Sequence, residues 1–508
     1  MKRFSRPRPV LFFAPVVFAA VFAFAPVSAA ARPPSVFPSL EPDRAAVLYA
    51  EWGNAGYSWE DLAEISLWAS STPAENEAGS ARLMERIRAG AAELGADLPS
   101  GARERGEYVL SFMHAKFLKS YSLLQTRVDT LLENGRYNCV SSAVLYLILA
   151  KSAGLDARGV MTKDHAFVQV DVDGEPVDVE TTSPYGFDPG NRKEFHDGFG
   201  RLTGFAYVPA GNYRDRSSIT PIELVSLILS NRIADLENRK RFAEAVPLAV
   251  KRTALLEGRP DPTSNFFFED PRRDLVIRIF NFGASLLGAG KEEDALRWAA
   301  IAEPAYPDSE RWQEFINAAV NNRLVKFIRQ KQAAGARDFL AARASVLSGE
   351  NYERMDAMVL EAELAEMAQA VKSADEAGGA LAAIAAAEKR AVLPAERIAE
   401  LRTFVVEKTA ALLAAPPARD WSAAIAFLEK AAADYGSSRR WEQALENYRV
   451  NYAAEYHNRF ADAYNTRNFD EARRILDEGL ALFPGNRLLL ADRQKLEFIF
   501  SSGQDTAR

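Results

Sequence analysis

An α+β N-terminal domain followed by an all-α C-terminal array is the architecture this chain predicts, and two observations predict it. Apolar residues first recur at spacings of three and four, then change to short valine-rich alternating runs between residues 157 and 182, then return to helical spacing with no further strand pattern beyond about Ile219. The long helical remainder is also self-similar. "RFAEAVPLA", "KEEDALRWA", "DFLAARASV", "DWSAAIAFL" and "NFDEARRIL" put Ala245, Ala295, Ala342, Ala424 and Ala472 in one slot.

At the N-terminus, Lys2, Arg3, Arg6 and Arg8 precede the apolar run "VLFFAPVVFAAVFAFAPV" and the small residues of "SAAARPPS". That is the pattern of a secretory signal cleaved near Ala29 to Ala31. Residues 1–31 are therefore expected to be removed, and the mature protein to be exported, periplasmic or secreted, from a bacterial cell. It would meet the membrane only transiently, during export. An uncleaved anchor is the alternative, since such a run is just long enough to span a bilayer.

Export sharpens the meaning of Cys139, the one cysteine in 508 residues. Paired cysteines are the usual staples of exported domains. A single thiol makes no internal disulfide, so it is either buried and inert or kept for its chemistry. A net charge of −7, from 62 basic and 69 acidic residues mixed along the chain, argues against nucleic acid as a partner. The four histidines, His114, His165, His196 and His457, do not stand at metal-ligand spacing from Cys139 or one another. No acidic loop has calcium-ligand spacing either. No metal or cofactor is expected.

The first domain is expected over residues 32–217. From about Glu41 to Asn134 it reads as helices, with "EDLAEISLWAS", "SARLMERIRAGAAEL" and "GEYVLSFMHAKFLKSY" as the clearest segments. "GRYN" then forms a turn, and "VSSAVLYLILAKSAG" reads as a helix apolar on all sides that ends near Gly154. Cys139 thus falls at or beside a helix N-terminus. Free N–H groups and the positive end of the helix dipole favour a thiolate there, and the same N–H groups can bind a developing oxyanion.

Three strands follow: "ARGVM", "HAFVQVDV" and "EPVDVETT". The last two flank Asp173-Gly174, a strong hairpin signal. If those two residues are the centre of the turn, paired positions sum to 173 + 174 = 347. His165 then lies opposite Thr182 and Phe167 opposite Glu180, so Glu180 is the diagonal neighbour of His165. Asp178 faces Gln169, one step further along. A bulge would shift the count by one, so Asp178 stays open as the alternative acid. Val168, Val170, Val177 and Val179 point to the other, core side. The plain alternative is that His165, Gln169, Asp178 and Glu180 form a solvated face.

Residues 218–500 are expected to form the array, beginning after the polar stretch "YRDRSS" with Pro221 just inside its first helix. Residues 501–508 read as a disordered tail. The alanine intervals run from 47 to 50 residues except one of 82, which is expected to hide a divergent unit near "GGALAAIAAAEK". The array resembles tetratricopeptide repeats, most clearly in "RFADAYNTRNFDEARRILDEGLALFPGN", Arg459 to Asn486. Its spacing departs from the usual period of about 34, which implies a related solenoid; an irregular helical bundle is the alternative. Solenoids display extended protein-binding surfaces.

Cysteine at a helix start, a strand, a histidine-first strand and an acid on the returning strand together resemble the transglutaminase-like superfamily, whose core is papain-like. The corresponding residues are Cys139, His165 in "HAFVQV", and Glu180 in "ETT", with Thr182 matching the family's threonine. Phe167 stands where the family has tryptophan, and Glu180 where it has aspartate. The resemblance implies a papain-like domain followed by a TPR-like solenoid. It also implies a cysteine hydrolase or acyl transferase acting on amide, peptide or isopeptide bonds of a protein or peptide substrate, and it leaves hydrolysis and transamidation both open. The rival expectation is a non-catalytic scaffold whose helical array binds a protein partner. His114 reads as packed within its helix and His196 as a surface histidine of "NRKEFHDGFG". Tyr137 and Asn138 either shape the oxyanion site or form the turn.

Overall fold

The computed structural model describes residues 37–53, 56–71, 77–162, 165–190, 216–257, 270–417 and 419–501. The expected signal segment, His196 with its loop, the residues just before 216 and most of the C-terminal tail lie outside the described residues. From Pro38 onward the described residues belong to one compact unit.

Four helices come first: α1 (Arg44–Trp52), α2 (Trp59–Ser70), α3 (Glu77–Ala96) and α4 (Ala102–Lys116). Next are the two-residue strand β1 (Ser120–Tyr121), the short helix α5 (Val128–Asn134) and β2 (Arg136–Tyr137), which pairs with β1 in parallel. Helix α6 (Cys139–Ser152) follows immediately, and every residue from Val140 to Ala150 on it is buried. A helix apolar on all sides has to be a central one. It is surrounded by α2, α4 and a four-stranded antiparallel sheet ordered β5-β4-β3-β6. These strands are β3 (Ala157–Met161), β4 (Ala166–Val172), β5 (Glu175–Val179) and β6 (Ser217–Ile219).

The hairpin register is the one the Asp-Gly turn predicts. Val168 pairs with Val179 and Gln169 with Asp178, and the turn residues Asp173 and Gly174 both have positive φ. Val168, Val170, Val177 and Val179 all enter the core.

Strand β6 falls where the sequence suggested only a polar connection. Its Ile219 pairs with Gly159, and a Cβ on Gly159 would stand 2.7 Å from Ile219 Cγ1 and 3.0 Å from Leu224 Cβ. The missing side chain lets the next helix, α7 (Pro221–Asn238), close over the sheet. Thr220 and Glu223 cap α7 reciprocally, with Pro221 in its first turn.

Although α7 opens the array in sequence, it packs on α2, α6 and β3. The 217/218 position expected as a domain boundary therefore lies inside a sheet strand. Truncation after Ser217 is expected to leave an insoluble or molten fragment, because Ile219, Ile222, Leu224, Val225, Leu227, Ile228 and Leu229 are all buried in one core. Each such side chain contributes about 1.5–3 kcal/mol, and their sum rivals the roughly 5–15 kcal/mol that holds a whole domain together. Circular dichroism and amide exchange of the fragment check this; a cooperatively folded 38–217 fragment would refute it.

The array continues as α8 (Phe242–Glu257), α9 (Pro271–Gly288), α10 (Glu292–Ala302), α11 (Ser309–Arg329), α12 (Ala333–Ala341), α13 (Gly349–Ala370), α14 (Ala374–Arg390), α15 (Ala395–Ala414), α16 (Trp421–Tyr435), α17 (Arg439–Asn465), α18 (Phe469–Leu482) and α19 (Arg487–Ser501). Successive helices pack in sequence order, and α11 with α13, α13 with α15 and α17 with α19 also touch across the stack. The slot alanine is the fourth residue of the second helix in each hairpin. Ala245, Ala295, Ala336, Ala377, Ala424 and Ala472 are all at most 1 % exposed. Two sequence assignments change accordingly. Ala342 is an exposed residue capping α12, and Ala336 fills the slot; the divergent unit is α14, with Ala377. No described helix is long and apolar enough to cross a membrane.

Candidate active site

Cys139 is the first residue of α6, and the local sequence fixes that start. Asn138 Oδ1 accepts the Ser141 N–H at 3.1 Å, while Ser141 Oγ accepts the Asn138 N–H at 3.0 Å. This reciprocal cap satisfies the third helical N–H and leaves those of Cys139 and Val140 without intrahelical partners. The thiol is free and half-buried.

His165 stands just before β4. Its Nε2 lies 2.5 Å from Glu180 Oε2, and Cys139 is the other side chain that acts on the imidazole electrostatically. Phe167, two residues on and on the same side of the strand, lies near-parallel to the imidazole with ring centroids 6.2 Å apart. Glu180, one residue beyond β5, is 2 % exposed. Its second oxygen accepts from Thr182 N at 3.2 Å and Thr182 Oγ1 at 2.7 Å. The carboxylate is thus fully used by the imidazole and by the threonine of "ETT".

Burial pushes the His165 imidazole down, but Glu180 and Cys139 together outweigh it and hold the ring well above the ordinary histidine range. Burial likewise pushes Glu180 up, yet His165 and the Thr182 donors bring it below the usual glutamate value. The directions agree on a buried imidazolium–carboxylate pair.

Asp178 is held elsewhere. Its oxygens accept from Gln169 Nε2 at 2.8 Å and from Arg216, and Arg158 donates in turn to Gln169 Oε1 at 3.0 and 2.6 Å. The two carboxylates that sequence left open are therefore separated by structure: Glu180 meets His165 and Asp178 does not.

The turn carrying Glu180 is clamped from several directions. Ser142 Oγ on α6 hydrogen-bonds Thr181 Oγ1 at 2.9 Å. His114 Nε2 donates to the Thr181 carbonyl at 3.1 Å, and Tyr137 Oη to the Thr182 carbonyl at 3.3 Å. His114 is thus packed, as its helix suggested. Burial lowers it to about 4 despite the Thr181 carbonyl and Glu180, so it is a neutral donor at physiological pH. Gly186 closes the turn by accepting the Glu180 N–H at 2.7 Å. A Cβ there would sit 1.9 Å from the Glu180 carbonyl oxygen. Gly186→Ala is accordingly expected to displace Glu180 and lower the reactivity of Cys139 at least tenfold, measured by alkylation of the native protein, with only a modest loss of global stability.

Sequence reading missed Tyr121. The β1–β2 register sets Tyr121 beside Tyr137, their rings meet edge to face at 5.8 Å, and Ser122 N bonds the Tyr137 carbonyl at 2.7 Å. Burial, then the charges of Cys139, Glu180 and Tyr137, raise its phenol well above the usual range. The hydroxyl is therefore a neutral donor, and it has no hydrogen-bond partner among the described residues. Two-residue strands leave no periodic signal, so only tertiary pairing reveals this neighbour.

Among the described residues no group of three or more His, Cys, Asp or Glu side chains converges as metal ligands would. Comparison of the chain with protein-family models and with curated proteins returns no match.

Proposed function

We propose that this protein is an exported cysteine hydrolase or acyl transferase of the transglutaminase-like, papain-like kind, acting on amide, peptide or isopeptide bonds. The observation that carries the reading is a single imidazole whose Nε2 lies 2.5 Å from the buried Glu180 and whose protonation is favoured by Glu180 and Cys139 together. Nucleophile, base and orienting acid in that order are what thiol acyl transfer requires. In the resting site the thiol proton is held on the imidazole, as the imidazolium beside Glu180, and the Cys139 sulfur forms a bond to the scissile carbonyl carbon. As the tetrahedral intermediate collapses, the C–N bond breaks and the imidazolium returns its proton to the departing amine. Water, or an amine, then loses a proton to His165 and attacks the thioester, releasing the acyl product and the thiol. The Cys139 N–H, which has no intrahelical partner, and the Tyr121 hydroxyl are the donors available to the oxyanion. The helical array offers the extended surface on which a protein substrate or partner is held.

The test uses p-nitrophenyl acetate as acyl donor, with intact-mass analysis of the one thiol. Native protein is expected to acetylate on Cys139 faster than the urea-unfolded chain and then to deacylate; Cys139→Ala should do neither. Acetylation no faster than in the unfolded chain would remove the catalytic reading and leave a binding scaffold. Tyr121→Phe should slow acetylation by about a hundredfold, yet leave iodoacetamide alkylation close to wild type, because alkylation passes through no oxyanion.

A further inference from the structure

The segment joining Tyr121 to α5 makes a tight turn whose composition is unusual for its exposure. Gln125 N bonds the Ser122 carbonyl at 2.8 Å, so Leu123 and Leu124 form the tip, 55 % and 73 % exposed. Turn tips normally carry Gly, Asn, Asp or Ser, because these residues suit both the backbone and the water. Two adjacent leucines there keep apolar surface in solvent without any packing return.

The turn is also firmly held, and its anchors cluster on the approach to the nucleophile. Asn138 Nδ2, on the residue preceding Cys139, donates to the Leu123 carbonyl at 3.0 Å. Ser141 Oγ donates to the Gln125 carbonyl at 3.1 Å, and Gln125 Nε2 to the Arg136 carbonyl at 3.0 Å and the Arg127 carbonyl at 2.7 Å. The residue that caps the nucleophile's helix therefore also positions the leucines. "SYSLLQ" carries no charge, which suits an apolar ligand and offers nothing to an ionic one.

We infer that Leu123 and Leu124 are specificity residues that receive a large apolar side chain of the substrate beside the scissile carbonyl. The inference rests on the thiol chemistry proposed above and narrows its substrate class to acyl compounds or peptides carrying such a side chain next to the cleaved bond. A rigid apolar lip fixed to the nucleophile's own cap acts on what the nucleophile attacks; a remote docking patch would have no reason to share that anchor.

Two electrophiles differing in one apolar group test it: 2-chloroacetamide and N-benzyl-2-chloroacetamide. Cys139 is the only thiol, so each rate reports one site. The benzyl-to-parent rate ratio in native protein, divided by the same ratio in the urea-unfolded chain, is expected to be about ten or more, the scale of a modest hydrophobic contact. Leu124→Ser and Leu123→Ser should bring it towards one. Val450→Ser, at an exposed apolar position in the array, should leave it at the wild-type value. A normalised ratio near one in the wild type, or one unchanged in both leucine variants, overturns the inference while leaving the reactive thiol intact. Sedimentation showing a dimer lost in Leu124→Ser overturns it too, by giving the lip to self-association. If the parent chloroacetamide reacts no faster with native than with unfolded protein, the catalytic reading fails first and takes this inference with it.

Discussion

Glu180→Gln is expected to reduce acyl transfer by three to four orders of magnitude, on the scale seen when an orienting carboxylate becomes an amide. The substitution keeps the side chain's shape and its contact with Thr182, so the loss is electrostatic. Burial lowers His165, and Glu180 together with Cys139 more than offsets it; once the carboxylate is gone, Cys139 alone opposes burial. The imidazole resonances should then titrate at markedly lower pH than in wild type, where they titrate above the ordinary histidine value of about 6.5. Asp178→Asn should leave both readouts nearly unchanged, since Asp178 is engaged by Gln169 and Arg216.

The pair also has a pH signature in stability. His165 is raised in the folded state, so its contribution is fully present below the unfolded value of about 6.5 and is lost as pH rises through the folded one. Glu180 is lowered, so its contribution is present above the unfolded value of about 4.3 and is lost as pH falls through the folded one. The stability difference between wild type and Glu180→Gln should therefore be greatest between about pH 4.3 and 6.5 and shrink on either side.

His165→Ala is expected to abolish acyl transfer and to bring Cys139 alkylation near pH 6 down to the rate of the unfolded chain. It also leaves Glu180, 2 % exposed, without its counter-charge. Removing one partner of a buried pair costs about 3–5 kcal/mol, partly relieved as Glu180 takes up a proton. Adding Glu180→Gln should restore part of that stability and none of the activity, because a neutral amide needs no cation beside it. A double variant no more stable than His165→Ala would mean that the lost packing, rather than the stranded charge, carries the cost.

The hairpin and its acid were legible in the sequence because their signals are local. Asp173-Gly174 sets the turn, a period of two sets the register, and counting from them puts Glu180 beside His165. The start of α6 was legible for the same reason, from a turn followed by an unbroken apolar run. Elements made by tertiary pairing were not. β1 and β6 are two and three residues long, and β6 follows a polar stretch, so nothing local marked Tyr121 as a neighbour of Tyr137 or Ile219 as part of a sheet. Helix α7 has the cap and Pro221 of a new domain's first helix, yet its apolar residues cover the sheet. In the array, "AARAS" offered Ala342 for the slot that Ala336 occupies, because an alanine-rich segment matches a short repeat in more than one register.

The central claim is that Cys139, His165 and Glu180 act as one unit, and the pH profile of Cys139 alkylation by iodoacetamide tests it most directly. With the imidazole ready to hold the thiol proton, the native protein is expected to react at pH 6 at least about tenfold faster than the urea-unfolded chain. That advantage should vanish in His165→Ala and diminish in Glu180→Gln. A native rate at or below the unfolded rate across the whole pH range, unaffected by either substitution, would contradict the account and make Cys139 an inert thiol at the head of a structural helix.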